Sequence, residues 1–337
     1  MSTRLYSQHA SVADRDVQVV SGIRRVRWSL FYRSANLHVF DFGWHYELLD
    51  LLFEIRPPVR SIVVFHGFTP RDIMPPHLQA GTDQTVAQLA NMKRADVVLA
   101  ASHYSKTFLA EHGVEPERIR VLPLPLRLPA QPRRVAAGNV TNLLFVGRLF
   151  VSKGVLDLLR ALATLRDNGK TAWRLSIVSN PAASDRGYAT AVHEFIRDTN
   201  LTPWIDHFGA IEDRARLATL YASSDAVIIP TYHETYCMPL LEALANGCAV
   251  IGYASGAVPE ISQGLARLVA TGDVGALMRE LARLFETKGS SAVAIADGGS
   301  LPREEFERRT RERTRDLTGE AYDQAFLEIV REVTRSA

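Results

Sequence analysis

Two short stretches hold the residues best suited to chemistry. In the first, Phe145-Val-Gly-Arg-Leu-Phe-Val-Ser-Lys-Gly154, an apolar run ends at Gly147 and Arg148, and Lys153 stands just before a helical pattern. A guanidinium can grip a phosphate through two parallel hydrogen bonds, and an ammonium adds a mobile point charge. Together they would offset the roughly two negative charges of a diphosphate, at about 1.5–3 kcal/mol per charge-assisted hydrogen bond. The plainer alternative is a strand-to-helix turn with exposed basic residues.

The second stretch is Ile229-Pro-Thr-Tyr-His-Glu-Thr-Tyr-Cys-Met-Pro-Leu-Leu-Glu-Ala-Leu-Ala-Asn-Gly247. Glu234 sits where a strand gives way to a loop, and Glu242 follows after seven intervening residues. Pro239 suits the first turn of a helix and Gly247 the position just past its end. No Ser, Thr, Asp or Asn immediately precedes Pro239, so the first N–H groups lack an obvious side-chain cap. Such N–H groups, at the positive end of the helix dipole, form a natural phosphate site. Glu242 falls among Leu240, Leu241, Ala243, Leu244 and Ala245, where a carboxylate needs partners. Sugar hydroxyls would serve, and so would a buried ion pair with an arginine, Glu234 then being plain surface charge.

The elements that must position these residues follow from periodicity. β-branched runs predict strands at 37–40, 61–65, 96–100, 142–146, 174–178, 226–229 and 249–252. Helical patterns lie between them at 45–54, 85–93, 105–112, 155–166, 188–198, 214–222 and 239–246. Short buried strands alternating with helices imply βαβ units, parallel sheets and an α/β class. Prolines 123, 125, 129 and 132 mark an interdomain hinge within residues 122–132. We therefore expect an N-terminal domain over 1–130 and a C-terminal domain over 138–314. A terminal helix over 315–337, with Tyr322, Phe326, Ile329 and Val333 on one side, has a return to the N-terminal domain as one option. Residues 288–300, rich in Gly, Ser and Ala, read as a loose connection.

Bulk properties narrow the classes. A chain of 337 residues suggests two compact domains, and 47% hydrophobic with 23% charged residues suits a globular protein. A net charge of +2 selects no nucleic-acid or acidic partner. Cys237 and Cys248 form no CxxC pair, which argues against a disulfide framework or structural zinc and fits a reducing compartment. No run of eighteen apolar residues and no signal-peptide core are visible, so the expected location is cytoplasmic.

Taken jointly, the two stretches resemble the retaining GT-B enzymes known as glycosyl transferases group 1, or glycosyltransferase family 4. That family pairs an Arg and a Lys after the first strand of its C-terminal domain with a Glu-x7-Glu motif. Secondary matches fall in order: His66-Gly67, Ala101-Ser-His-Tyr-Ser105, Phe208-Gly-Ala210 and Gly256-Ala-Val-Pro-Glu260, over roughly residues 60–270. The resemblance implies two Rossmann-like domains whose parallel sheets face a central cleft. It implies that Gly147, Arg148 and Lys153 hold the donor diphosphate and that Glu234 binds hydroxyls of the transferred sugar. The backbone of Tyr236, Cys237, Met238, Pro239 and Leu240 would line sugar and phosphate, Glu242 would bind the ribose, and Ala210 and Ile211 would lie near the base. His66 would face the sugar from the N-terminal domain.

The implied function is transfer of a sugar from a nucleotide diphosphate sugar to a glycan or lipid-linked acceptor, with retention, in surface polysaccharide or glycoconjugate synthesis. No metal and no cofactor beyond the donor are required on this reading, and Asp14-Arg15-Asp16 counts as a chance match to the metal-binding Asp-x-Asp of another enzyme class. A catalytically silent GT-B-like subunit and a sugar-nucleotide epimerase are the alternatives. No Gly-x-Gly-x-x-Gly opens a βαβ unit, which disfavours a dehydrogenase.

Two departures from the family pattern stand out. The loop after Glu234, normally glycine-rich, reads Thr-Tyr-Cys, and Thr235 adopts positive φ only at a cost. Residues 1–36 hold only Gly22 and no Gly-rich loop, so the N-terminal domain is expected to be shortened, rebuilt or completed by a partner chain or second copy. Within it, residues 24–33 interleave Arg24, Arg25, Arg27 and Arg33 with Trp28, Phe31 and Tyr32. That segment suits peripheral contact with an anionic membrane, against the plainer reading of one buried and one solvated face; nucleic acid is not expected.

Overall fold

The computed structural model describes residues 4–7, 17–20, 22–128 and 138–335, so Asp14-Arg15-Asp16 and the later part of the expected hinge lie outside the described residues. The chain divides into two units. One gathers the described residues of 1–71, 77–123 and 323–337; the other gathers those of 72–76 and 124–322.

The first unit begins with a short parallel pair, β1 (Leu5–Ser7) and β2 (Val17–Val19), then two one-turn helices, α1 (Ile23–Arg27) and α2 (Leu30–Ser34). Its main sheet is a parallel ladder in chain order: β3 (Leu37–Phe42), β4 (Arg60–Phe65), β5 (Val97–Ala100) and β6 (Ile119–Val121). β4 and β5 are almost wholly buried because elements cover both sheet faces, which is why they read as continuous apolar runs. Phe42, Phe65, Leu49, Leu52, Leu89, Met92 and Leu109 form the core between sheet and covering elements. Residues 47–54, helical in pattern, wind as a 3-10 helix, Glu47–Glu54. The helix expected over 85–93 starts earlier, as α3 (Pro76–Gln88), and tightens to 3-10 over Leu89–Arg94. α4 (His103–Glu111) follows β5, its Ser102 side chain capping the Ser105 N–H.

The second unit is a six-stranded parallel sheet ordered β12-β11-β10-β7-β8-β9. In chain order the strands are β7 (Thr141–Val146), β8 (Trp173–Val178), β9 (Ile205–Gly209), β10 (Ala226–Ile229), β11 (Ala249–Tyr253) and β12 (Arg267–Val269). Between and after them run α5 (Val155–Asp167), α6 (Arg186–Asp198), α7 (Arg214–Ser223), α8 (Met238–Ala245), α9 (Val258–Ser262) and α10 (Val274–Glu286). The Gly/Ser/Ala-rich stretch contains the first strand of an antiparallel hairpin, β13 (Ala292–Ala294), which pairs with β14 (Ser300–Pro302). α11 (Arg303–Thr314) precedes the expected terminal helix, which is present as a single helix, α12 (Gly319–Arg335), opening at Gly319. Residues of α12 from Asp323 onward group with the first unit, where Glu332 pairs with Arg120 of β6 at 3.1 Å. Two Rossmann-like parallel α/β units, the first with a four-stranded main sheet among the described residues, agree with the expected GT-B fold class.

Candidate functional site

The sheet order of the second unit creates the site. β7 and β10 are neighbours, yet the chain leaves β7 toward β8 and β9 and leaves β10 toward β11 and β12. At such a switch point the loops leaving the two strands part, and a crevice opens at their carboxyl ends. Arg148 and Lys153 lie on the loop after β7, and Glu234 lies on the loop after β10.

The two loops are stitched together by the carbonyl of Ser152. It accepts the Tyr232 N–H at 2.8 Å and the Thr231 hydroxyl at 2.9 Å, using both lone pairs of one oxygen. Gly154 is left-handed (φ 63°), and a Cβ there would stand 1.8 Å from the Pro230 carbonyl oxygen. Only glycine permits that approach. With the loops so joined, Lys153 Nζ reaches Glu234 Oε1 at 2.5 Å, both side chains being largely buried. Arg148 differs. Its guanidinium is exposed, lies 4.8 Å from the centre of the Phe150 ring, and makes no ion pair among the described residues. Gly147 donates its N–H to Val178 at 3.0 Å, holding the end of β7 against β8.

The helix termini fit the same picture. α4, α6, α7 and α10 are each capped by their preceding Ser or Asp side chain. α5 and α8, which begin beside the switch point, have Gly154 and Cys237 at that position and no such cap. At α5 the Tyr188 hydroxyl accepts the Leu156 N–H at 3.1 Å, so of the two it is α8 whose positive end no side chain caps. The left-handed residue in the Glu234 loop is Cys237 (φ 67°, ψ 69°) rather than Thr235. The loop keeps a turn that glycine favours, carried instead by a buried cysteine whose thiol burial pushes well upward in pKa. The Tyr236 ring is also buried, its hydroxyl donating to the Leu124 carbonyl at 3.1 Å. Met238, Pro239 and Leu240 form the first turn of α8.

Glu242, one turn along α8, has a partner other than arginine. The Tyr221 hydroxyl donates to its Oε2 at 2.8 Å. Burial raises the Glu242 carboxyl above its ordinary range, the tyrosine bond opposing that rise. Ala210 and Ile211 follow β9 at the carboxyl edge of the sheet, just before Asp213 caps α7. Nearby, His207 of β9 bonds the Ser179 hydroxyl at 2.7 Å and His193 at 3.1 Å, and burial lowers its pKa. His66 belongs to the first unit. It sits past the end of β4, its Nε2 3.1 Å from Asp41 Oδ1 and its N–H bonded to Phe42.

Sequence reasoning missed the support beneath this arrangement. Asp157, buried in α5, accepts the Tyr232 hydroxyl at 2.6 Å and the Tyr253 hydroxyl at 3.0 Å, while Arg160 holds its other oxygen at 3.0 Å. Burial and the adjoining carboxylate push the Tyr232 phenol up to about 12. The available signal was a single acid between Leu156 and Leu158 in the first turn of a largely apolar helix.

Comparison with known proteins gives a consistent set of similarities. Residues 140–287 match the family model described as glycosyl transferases group 1. The chain is 28% identical over 198 residues to the MMP alpha-(1->4)-mannosyltransferase of Mycolicibacterium hassiacum, covering 57% of this chain and 46% of that protein. It is 27% identical over 183 residues to the D-inositol 3-phosphate glycosyltransferase of Corynebacterium kroppenstedtii, covering 54% and 38%. The matched region thus spans less than half the length of these curated relatives. Among solved structures, sucrose-phosphate synthase from Thermosynechococcus elongatus aligns with a TM-score of 0.71 at 19% identity, over 90% of this chain and 74% of that one, a likeness of fold.

Proposed function

We propose, residues 140–287 being a glycosyl transferases group 1 domain in a chain of GT-B fold, that the protein transfers a sugar from a nucleotide diphosphate sugar to a glycan or lipid-linked acceptor. The observation that carries this reading is the 2.5 Å contact of Lys153 with Glu234 at the switch point, with the exposed Arg148 on the same loop as Lys153. Two relatives, a mannosyltransferase and an inositol-phosphate glycosyltransferase, support glycosyl transfer as the reaction class.

On this reading Lys153 exchanges partners. In the free protein its ammonium neutralises Glu234; when a diphosphate arrives, it turns to the phosphate, and the Glu234 oxygens become acceptors for sugar hydroxyls. Arg148 clamps the same diphosphate through two parallel hydrogen bonds, and the uncapped N-terminus of α8 adds backbone N–H donors. Two cations match the developing charge on the leaving group, so the protein's contribution is orientation and charge stabilisation without a metal. Glu242, oriented by Tyr221, offers its remaining oxygen to ribose hydroxyls. Retention follows if the acceptor attacks from the face the diphosphate leaves, with a phosphate oxygen taking its proton. Surface polysaccharide or glycoconjugate synthesis is the setting this chemistry suits.

The test is a thermal-shift screen against UDP-, GDP-, ADP- and dTDP-sugars, since a ligand that binds only the folded state raises the melting temperature. One of these donors should stabilise the wild type, and Arg148→Ala should weaken its binding about 10- to 100-fold. Glu234→Ala should abolish most turnover in a transfer assay, with the product anomer read by NMR. No stabilisation by any donor would overturn the reading. Donor binding without turnover across an acceptor panel would favour a catalytically silent subunit.

A further inference from the structure

One corner of the first unit exposes bulky apolar groups among cations. Trp28 is 72% exposed and Leu30 81%, and among the described residues no other large hydrophobic side chain is as open. They flank Ser29 at the junction of α1 and α2. The junction is built, not loose. The Trp28 N–H donates to Arg24 at 3.2 Å, the Ser29 N–H to Val26 at 2.9 Å, and the Tyr6 and Ser29 hydroxyls are 2.7 Å apart. Val26 is buried beneath it. The plainer expectation, one buried and one solvated face, therefore accounts for Val26 but not for Trp28 and Leu30.

The charges around this corner are predominantly positive. Arg24, Arg25, Arg27 and Arg33 are exposed, and Arg4 lies over the Phe31 ring at 5.0 Å. Among the described residues, the acids at this corner are Glu54, which pairs with Arg27, and Glu47, beside Gly22. Arg24, Arg25 and Arg33 make no ion pair among the described residues.

We infer that this corner docks onto an anionic lipid bilayer. Trp28 and Leu30 enter the boundary between headgroups and acyl chains, and Arg24, Arg25 and Arg33 meet the anionic headgroups. An indole and an aliphatic side chain standing clear of the surface, ringed by arginines, match the chemistry of that boundary. A second copy fits poorly, because a two-fold contact would set this cationic corner against itself. A stable protein interface buries about 800 Å² per partner, more than two protruding side chains provide. Nucleic acid would use the arginines but leave Leu30 without a role. The inference does not depend on the proposed transferase activity.

Vesicle co-sedimentation of the full chain tests it, using phosphatidylcholine alone and phosphatidylcholine mixed with phosphatidylglycerol. The wild type should partition onto the mixed vesicles only, and less so in 1 M than in 0.1 M salt, where the screening length falls from about 10 to about 3 Å. A Trp28→Ser/Leu30→Ser variant should lose at least about tenfold in partitioning at unchanged melting temperature, both side chains lying outside the core. Arg24→Gln, Arg25→Gln and Arg33→Gln should each cost roughly fivefold and flatten the salt dependence. Equal partitioning onto neutral and anionic vesicles, or folded variants that sediment like the wild type, would overturn the inference. So would loss of dimerisation or RNA binding in the same variants without vesicle binding in the wild type.

Discussion

Gly256 lies against the backbone of Glu234: a Cβ built on it would stand 2.1 Å from the Glu234 carbonyl oxygen and 2.9 Å from its nitrogen. The next residue fixes the contact, the Ala257 N–H donating to the same carbonyl at 2.8 Å. The loop after β11 is thus the seat on which the Glu234 loop rests.

Gly256→Ala should move that loop and strain a left-handed residue (φ 54°). The expected loss is about 1–3 kcal/mol in denaturant unfolding, with donor-sugar binding lost beyond what the stability change explains. A folded variant that binds like the wild type would show that Glu234 does not depend on this seat.

Lys153 and Glu234 should be strongly coupled in stability. Lys153→Met leaves a largely buried carboxylate without its cation, and Glu234→Gln leaves a largely buried ammonium. Each single change should cost about 1–3 kcal/mol, the partial exposure of both groups reducing the penalty of a fully buried pair. The double variant should recover most of that loss while remaining unable to bind donor. A double-mutant cycle on unfolding measures the coupling; additive single effects would contradict it.

Cys237 should invert a usual preference. In ordinary backbone, replacing a buried residue with alanine is gentler than replacing it with glycine. At φ 67° glycine relieves the left-handed strain and alanine retains it. We expect Cys237→Gly to be more stable than Cys237→Ala by roughly 1 kcal/mol in chemical unfolding. The opposite order would mean that the loop can shed its positive φ.

Glu242 should make stability depend on pH in a defined direction. Burial raises its folded-state pKa, so the folded protein holds this proton more tightly than the unfolded chain. The resulting stability is fully present below the unfolded value and is lost as pH rises through the raised folded value. Glu242→Gln removes the titration and keeps an oxygen for Tyr221. The melting temperature of the variant relative to wild type should therefore climb from acid to neutral pH, while donor affinity falls. A difference that stays constant with pH would refute the sign.

All seven strands expected from apolar runs occur; those covered on both faces, such as Arg60–Phe65 and Ala226–Ile229, declare themselves through their own residues. Elements with a weaker local signal were harder to read. Ile205–Gly209 carries the polar side chains of Asp206 and His207, and so lacks the run that marks the other strands. Glu47–Glu54 buries four leucines at a spacing that eight residues cannot resolve into 3.6 or 3.0 per turn.

For the site, the division follows distance along the chain. The types and order of Arg148, Lys153, Glu234 and Glu242, and the missing cap before Pro239, are local facts and visible in the sequence. That Lys153 touches Glu234, eighty-one residues away, follows from β7 and β10 being neighbours. The Tyr221 partner of Glu242, the two tyrosines on Asp157 and the left-handed Cys237 likewise arise only when separate strands and loops converge. Periodicity and capping act over a few residues, where sequence neighbours are spatial neighbours. Strand order and the meeting of charges are set by the packing of the whole sheet, so only the tertiary structure could decide them.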